Sequence, residues 1–312
     1  MSEPDLSVAI GSLTLRAPVL AAAGTFGYGL EFARAVRLEA LGALVTKTLT
    51  QEPRAGHPAP RLADTASGML NAVGLANVGL EAFLTDIAPG LRALPVPVIV
   101  SVLGETPDSS AAMARRLDAE PAAAALELNL SCPNVRPSGS GSGRHVRLIA
   151  HDPAATAAVV QAARAATRKP LIAKLSPDVT DLVPIAQAAE RAGADAVTLG
   201  NTYVGMSLDA ATRRSRLGMP TGGLSGPAIR PLAVYRVWYT AASLRVPVIG
   251  LGGIVRAEDA VEFFLAGAGA VAVGTANFAD PRAPVKVLRG LVRYLRAHGL
   301  RSITELRGRG DT

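Results

Sequence analysis

The stretch PLIAKLSPDVTDLVPIAQAAERAGADAVTLGN, residues 170–201, contains one complete strand–helix–strand unit. The β-rich apolar runs at 170–176 and 195–201 have strand length, whereas 181–192 repeats its apolar positions at helical spacing. Asp181 stands at the start of that segment and Gly193 just past its end, the residue types that open and close helices. Two strands joined through a helix form a parallel pair.

The same alternation extends in both directions. Strands are expected at 18–24, 43–48, 96–104, 124–130, 170–176, 195–201, 246–253 and 270–275. Helices are expected at 31–40, 79–90, 108–118, 153–168, 181–192, 228–243, 257–267 and 283–298. Eight repeats of strand then helix point to an α/β fold of the closed (β/α)8 TIM-barrel type rather than an open doubly wound sheet. Ahead of the first barrel strand, LSVAIGSLTL resembles two short strands around Gly11 and Ser12, an N-terminal β-hairpin that would cover the barrel's bottom. Residues 1–312 are expected to form a single domain.

Composition narrows the function classes. Apolar residues make up 49% of the chain and charged residues 18%, which suits a large packed core and argues against disorder. The N-terminus MSEPDLSVAIGSL begins acidic and breaks at Gly11, and no segment supplies about 18 uninterrupted apolar residues. A cytoplasmic protein without signal peptide or membrane span is therefore expected. The net charge of +7 is spread over scattered arginines, as in ATRRSRLG and RYLRAHGLRSITELRGRG. An RNA surface, an anionic substrate, a phosphate cofactor or an acidic partner would each account for it; without a dense basic tract, no nucleic-acid partner is expected. His57, His145, His151 and His298 show no metal-site spacing, so no metal is expected. The only cysteine, Cys132, can form no internal disulfide, nor hold an iron–sulfur cluster, which takes about four thiolates. Any such centre would belong to a partner.

In this architecture chemistry collects at the C-terminal ends of the strands. There the sequence places Lys47 and Thr48, then Ser101, then Asn129, Ser131, Cys132 and Asn134, then Lys174 and Ser176, then Asn201 and Thr202. The connection after the second strand adds NAVGLANVG, with Asn71 and Asn77 among glycines. A lysine inside an apolar strand such as LIAKLS would cost several kcal/mol if it faced the helices unpaired, so Lys174 should face the barrel mouth. GLGG at 250–253 and VGT at 273–275 follow the last two strands, where backbone N–H groups can cradle a phosphate. GAGAVAVG at 267–274 enters a strand instead of leaving one, so NAD binding by this chain is not expected. Taken alone, a lone cysteine after an apolar strand such as Cys132 is more often a small buried hydrophobe than a reactive thiol.

The motifs AAAGTFGYG, VTKTLT, NAVGLANVG, LNLSCPN, IAKLSPDVTD, GNTYVGM, GGLSGPAIRP, IGLGGI and VGTANF run in order from residue 21 to 278. With them the chain resembles the class 1 dihydroorotate dehydrogenases, flavoproteins of pyrimidine biosynthesis, and most the NAD-linked (1B) form that works with an electron-transfer subunit. The resemblance implies FMN-dependent oxidation of dihydroorotate to orotate, with Cys132 as general base at C5 and hydride transfer from C6 to FMN N5. It implies substrate contacts from Lys47, Asn71, Ala72, Val73, Gly74, Leu75, Asn129, Asn134, Asn201 and Thr202. Cofactor contacts would come from Ala23, Gly24, Lys47, Thr48, Ser101, Asn129, Lys174, Gly200, Gly226, Gly252, Gly253, Gly274 and Thr275. The implied partner carries FAD and a 2Fe-2S cluster, on a homodimer core or as a heterotetramer.

Amides suit the imide edge of a pyrimidine, which alternates N–H and C=O, and a lysine suits its carboxylate. A fixed cation at Lys174 would favour the anionic reduced flavin. Ala23 stands where the family often has Ser, and Ser101 where it often has Asn. The segment VRPSGSGSGRHVRLIAH, at 135–151, is longer and more basic than the family's usual substrate-covering loop. Alternative readings are a flavin-dependent reductase of another pyrimidine, a non-catalytic flavin-binding subunit, and a tRNA dihydrouridine synthase, against which stands that family's added C-terminal helical domain.

Overall fold

A computed structural model describes residues 3–131, 148–308 and 310 of the protein. Sixteen strands lie among these residues. Eight of them close a parallel barrel: β3 (Val19–Ala21), β4 (Ala43–Val45), β7 (Val98–Val102), β8 (Ala123–Asn129), β9 (Leu171–Leu175), β10 (Ala196–Leu199), β15 (Val248–Leu251) and β16 (Ala270–Val273). Each strand expected in the barrel is present at its expected place.

Strand alternation sorts the side chains into two cores. On β8, Leu126, Leu128 and the following Leu130 join the cluster packed under the helices, with Met113, Leu117 and Val160. Ala125 turns the other way and meets Val45, Ile99, Ile172 and Ile249 inside the barrel. The same alternation therefore points Glu127 and Asn129 inward, two and four residues further along. Many inner positions are alanine, including Ala43, Ala125, Ala196 and Ala270, so the interior is narrow and packed rather than a channel.

β1 (Val8–Ile10) and β2 (Leu13–Leu15) form the expected antiparallel hairpin. Its Ile10 and Leu15 belong to the interior cluster, so the hairpin stops one end of the barrel. That end is the N-terminal one, because a Cβ on Gly11 would lie 2.8 Å from the Asp195 side chain, just ahead of β10. The helices start where side chains can cap them. Thr106 accepts from Ser109 N while Ser109 Oγ accepts from Thr106 N, a capping box opening helix Pro107–Asp118. Asp152 accepts from the amides of Ala154 and Ala155 at the head of Pro153–Ala166.

Two expectations need correction. Segment 31–40 is not a helix but two 3-10 turns, Leu30–Phe32 and Leu38–Ala40, joined by a bend. Its apolar spacing instead serves one i to i−4 bond, Val36 N to Phe32 O at 3.0 Å, and a tilted contact of the Phe32 ring with buried Phe26, centroids 4.4 Å apart. The helix expected at 79–90 carries a π-helical stretch, Phe83–Ile87, ahead of Pro89, which has no N–H to continue the regular ladder.

A second sheet was not legible in the alternating pattern. β11 (Tyr203–Gly205), β14 (Gly222–Ser225), β6 (Gly68–Asn71) and β5 (Leu62–Thr65) form it, in that order and all antiparallel. β12 (Leu208–Asp209) and β13 (Arg214–Ser215) make a further short hairpin. No helix among the described residues is long and apolar enough to cross a membrane.

At the barrel's N-terminal end, the half-exposed Arg92 makes a two-pronged ion pair with buried Glu120, at 3.0 and 2.9 Å. Glu120 also accepts from Ala122 N at 2.8 Å. The Arg92 guanidinium holds the Glu120 carboxyl below its usual range, against an opposing push from burial. A depressed carboxyl stabilises the fold above its unfolded pKa, and that stability is lost as pH falls through the folded value. Glu120→Gln should therefore cost about 1–2 kcal/mol at neutral pH. In denaturant melts the difference from wild type should shrink once the pH drops below the carboxylate range; a gap that is constant with pH would contradict the ion-pair account.

Candidate active site

At the C-terminal ends of the barrel strands lies a cleft of about 1040 Å³, its open mouth included. Barrel strands supply one side: Ala22, Ala23, Gly24 and Thr25 after β3, Lys47 and Thr48 after β4, Asn129 from β8 and Lys174 from β9. Asn201 and Thr202 follow β10, Gly252 and Gly253 follow β15, and Gly274 and Thr275 follow β16. The second sheet supplies the other side through Leu62, Met69, Asn71 and Ser225. That sheet thus has a local purpose: it brings Asn71 and the following Val73, Gly74 and Leu75 to the barrel mouth.

Hydrogen bonds fix the amides before any ligand arrives. Asn129 donates from Nδ2 to Thr48 Oγ1 at 2.9 Å, and its Oδ1 accepts from the Ser131 hydroxyl at 3.1 Å. Asn201 donates from Nδ2 to the same Ser131 hydroxyl at 2.8 Å, and its Oδ1 accepts from Thr202 N at 2.8 Å. Ser131, immediately ahead of Cys132 in sequence, therefore ties two amides from different strands to one point. Asn71 donates to Gly223 O at 3.1 Å across the β6–β14 pair. Burial pushes the Tyr203 phenol up, with Arg236 acting against it, so Tyr203 next to Thr202 stays neutral at physiological pH.

The loop after β6 is held in an uncommon shape. Gly74 and Leu75 have φ of 70° and 56°, and positive φ is costly for a leucine. Asn77 maintains it by donating to Leu75 O at 2.8 Å and to Thr50 Oγ1 at 2.9 Å. Its Oδ1 accepts from Thr50 N at 3.2 Å and Gly79 N at 2.9 Å. Asn77 is thus a clamp on the loop rather than a lining residue.

The turns after β15 and β16 fit a phosphate. Gly253 has φ 72°, and a Cβ there would lie 2.9 Å from both Gly226 O and Arg230 N. Only a glycine lets this turn and the one after β14 approach backbone to backbone. Gly274 differs, because it lines the cleft and a Cβ there would make only ordinary contacts with the Leu251, Ala22 and Thr25 side chains, none nearer than 3.7 Å. Bare backbone next to open cleft is what a bound phosphate group requires.

Most residues picked from the sequence meet in this cleft. Four do not line it. Ser101 is fully buried one layer deeper, sharing a hydrogen bond of 2.9 Å with Thr48 Oγ1. Ala72 packs with Leu70 and Leu217 in a small core under the second sheet. Gly200 and Gly226 stand behind the wall, where Cβ atoms would meet Leu251 O at 2.3 Å and Gly68 Cα at 2.7 Å. Cys132, Asn134 and most of the 135–151 segment lie outside the described residues. Sequence reasoning missed Ala22, Thr25, Leu62, Met69, Ser225, Ile229, Leu251 and Phe278 as lining residues. Their apolar or small side chains carry no signature of their own; only the pairing of the second sheet reveals Leu62, Met69 and Ser225.

Comparison with known proteins agrees with this geometry. The family model described as dihydroorotate dehydrogenase matches residues 5–295. The dihydroorotate dehydrogenase B (NAD(+)) catalytic subunit of Trichlorobacter lovleyi is 53% identical over 306 residues, covering 98% of each chain. The protein of the same name from Geobacter sulfurreducens is 50% identical over 308 residues, covering 99% of each. In fold, the chain is similar to the crystal structure of Eimeria tenella DHODH in complex with ferulenol, with a TM-score of 0.78 at 24% identity. That superposition covers 98% of this chain and 89% of the other.

The two glycine turns can be told apart by substitution. Gly253→Ala forces an L-residue into positive φ against two backbone atoms and should cost about 1–3 kcal/mol, lowering the calorimetric melting midpoint by several degrees. Gly274→Ala should leave the midpoint unchanged. Equal midpoints for the two variants would contradict the packing described.

Proposed function

The chain belongs to the dihydroorotate dehydrogenase family, and from that membership we propose that it oxidises dihydroorotate to orotate in pyrimidine biosynthesis, with FMN as its flavin. The family is flavin-dependent. The observation that carries the proposal is the convergence of Lys47, Asn71, Asn129, Lys174, Asn201 and Thr202 on one cleft that ends in bare glycine turns. When bound, FMN supplies the hydride acceptor for C6 of the substrate.

The protein's own residues do the rest. Backbone at Gly252, Gly253, Gly274 and Thr275 would hold the phosphate, and Lys174 would supply a fixed positive charge to the pyrimidine end of the flavin. Lys47 pairs with the substrate carboxylate. Asn71, Asn129, Asn134 and Asn201, helped by Thr202, match the alternating donors and acceptors of the substrate ring. Because Ser131 and Thr48 already hold Asn129 and Asn201 in place, little ordering entropy remains to be lost when substrate binds. Cys132, assigned through the family resemblance, takes the C5 proton as general base. A thiol with an ordinary pKa of about 8.5 is mostly protonated at neutral pH, so its activation must come from its surroundings.

The relatives' description as a catalytic subunit supports a second, electron-transfer subunit in the assembly. We assign FAD and a 2Fe-2S cluster to that partner, since a chain with one cysteine cannot ligate such a cluster. The assembly is a homodimer core or a heterotetramer in the cytoplasm.

The purified protein should be yellow, with one flavin per chain, and anaerobic dihydroorotate should bleach it. A flavin that stays oxidised with dihydroorotate but bleaches with a dihydropyrimidine such as dihydrouracil would move the assignment to a reductase of that other pyrimidine. Cys132→Ala should keep its flavin and bleach at least about 100-fold more slowly in stopped flow, the loss expected for a missing general base. Unchanged bleaching would remove Cys132 from the mechanism.

A further inference from the structure

The barrel interior holds a carboxylate for which the reaction above has no use. Glu127 lies on β8 two residues ahead of Asn129, and its side chain is only 4% exposed. Its Oε1 accepts from Ser101 Oγ at 3.3 Å and its Oε2 from Thr198 Oγ1 at 3.2 Å. Lys174 Nζ stands 3.9 Å from Oε1, with the lysine side chain itself 5% exposed. A small gap of about 10 Å³ lies here, lined by Glu127 and Thr198 and sharing Lys174, Ala22 and Leu251 with the main cleft. Lys174 thus bridges the two spaces, with Glu127 behind it and the cleft in front.

The hydrogen bonds around Glu127 run one way. Asn129 Nδ2 can only donate, and it donates to Thr48 Oγ1. A carboxylate can only accept, so Ser101 spends its single hydroxyl proton on Glu127. Thr48 must then donate to Ser101 across their 2.9 Å contact. The Ser101 and Thr48 hydroxyls are thus both oriented by the anion at the end of the chain. Two apolar side chains would fill this layer without the desolvation cost of a buried ion pair, so packing alone gives no reason for the pair.

We propose that Glu127 is a positioning residue that acts through Lys174: its carboxylate holds the Lys174 ammonium in its seat at the cleft floor, and it ends the hydrogen-bond chain that orients Asn129. The inference rests on the reading of the cleft as a flavin site with Lys174 beside the pyrimidine end. Loss of Glu127 should therefore imitate loss of Lys174 wherever negative charge on the flavin is measured, without any need for substrate.

Sulfite provides that measurement. It adds through sulfur to N5 of oxidised flavin, and the displaced electron pair leaves negative charge at the N1 and C2 carbonyl region. The dissociation constant of the adduct therefore reads the fixed cation nearby. Glu127→Gln should weaken sulfite binding at least tenfold, in the same direction as Lys174→Met, and should add less than twofold in the Lys174→Met background. Thr198→Val, which removes a hydrogen bond to Glu127 but keeps the charge pair, should stay within twofold of wild type. Sulfite binding that is unchanged or tighter in Glu127→Gln would overturn the proposal, as would an undiminished effect in the double variant. If Lys174→Met does not retain flavin, the size and direction of the Glu127→Gln effect decide. If Glu127→Gln does not fold, Glu127→Asp, whose charge is drawn back by one methylene, must weaken the adduct at least threefold. Wild-type protein that binds no flavin would overturn the reading of the cleft itself; bound flavin that responds to Lys174→Met but not to Glu127→Gln would overturn only the role of Glu127.

Discussion

An inward-facing side chain in a closed eight-stranded barrel has nowhere to go but the barrel axis, and the rest of this site depends on that constraint. Near the N-terminal hairpin the inner positions are filled by apolar side chains, Ile10, Leu15 and a set of alanines among them. Towards the C-terminal ends the same rows turn polar: Glu127 and Asn129 on β8, Lys174 on β9, Thr198 on β10 and Ser101 on β7. Each would be costly against the outer helices, whereas on the axis each meets a partner from a neighbouring strand. The register sets those meetings, pairing Ser101 with Glu127, Asn129 with Lys174 and Thr198 with Lys174.

This arrangement makes the cleft floor rigid. Asn129 is bound to Thr48 on one side and Ser131 on the other, and Ser131 also holds Asn201. Opposite them the second sheet delivers Asn71, and Asn77 holds the strained Gly74–Leu75 turn against the loop after β4. Preorganised polar groups of this kind suit a flat heterocycle, because orientation is settled before binding. The imide edge of dihydroorotate and the pyrimidine edge of a flavin both present fixed donors and acceptors, so the proposed site can use one set of amides and two lysines for both.

Much of this was legible in the sequence because barrel strands repeat a strong signal. Short apolar runs ending in polar residues located Lys47, Asn129, Lys174 and Asn201 at the strand ends, and the glycine turns after β15 and β16 line the same cleft. The departures have physical causes. Segment 31–40 has helical apolar spacing but spends it on the Phe26–Phe32 contact. The second sheet is built from segments distant in sequence, so no local period announces it. Ser101 was expected at the cofactor and instead serves Thr48 and Glu127, because a shorter side chain than asparagine at that position bonds within the barrel. Glu127 itself sits in a motif, LELNL, whose apolar residues draw attention away from it; its importance emerges only from the strands on either side.

The central claim is that the polar floor of this barrel receives a flavin and a pyrimidine carboxylate in a defined order. A crystal structure of the protein with FMN and orotate tests it most directly. The account predicts the flavin phosphate on the Gly252–Gly253 and Gly274–Thr275 turns, Lys174 within hydrogen-bond distance of the flavin's pyrimidine edge with Glu127 still behind it, and orotate between Lys47 and the asparagines. A phosphate bound elsewhere, or a Lys174 turned away from the flavin, would contradict it.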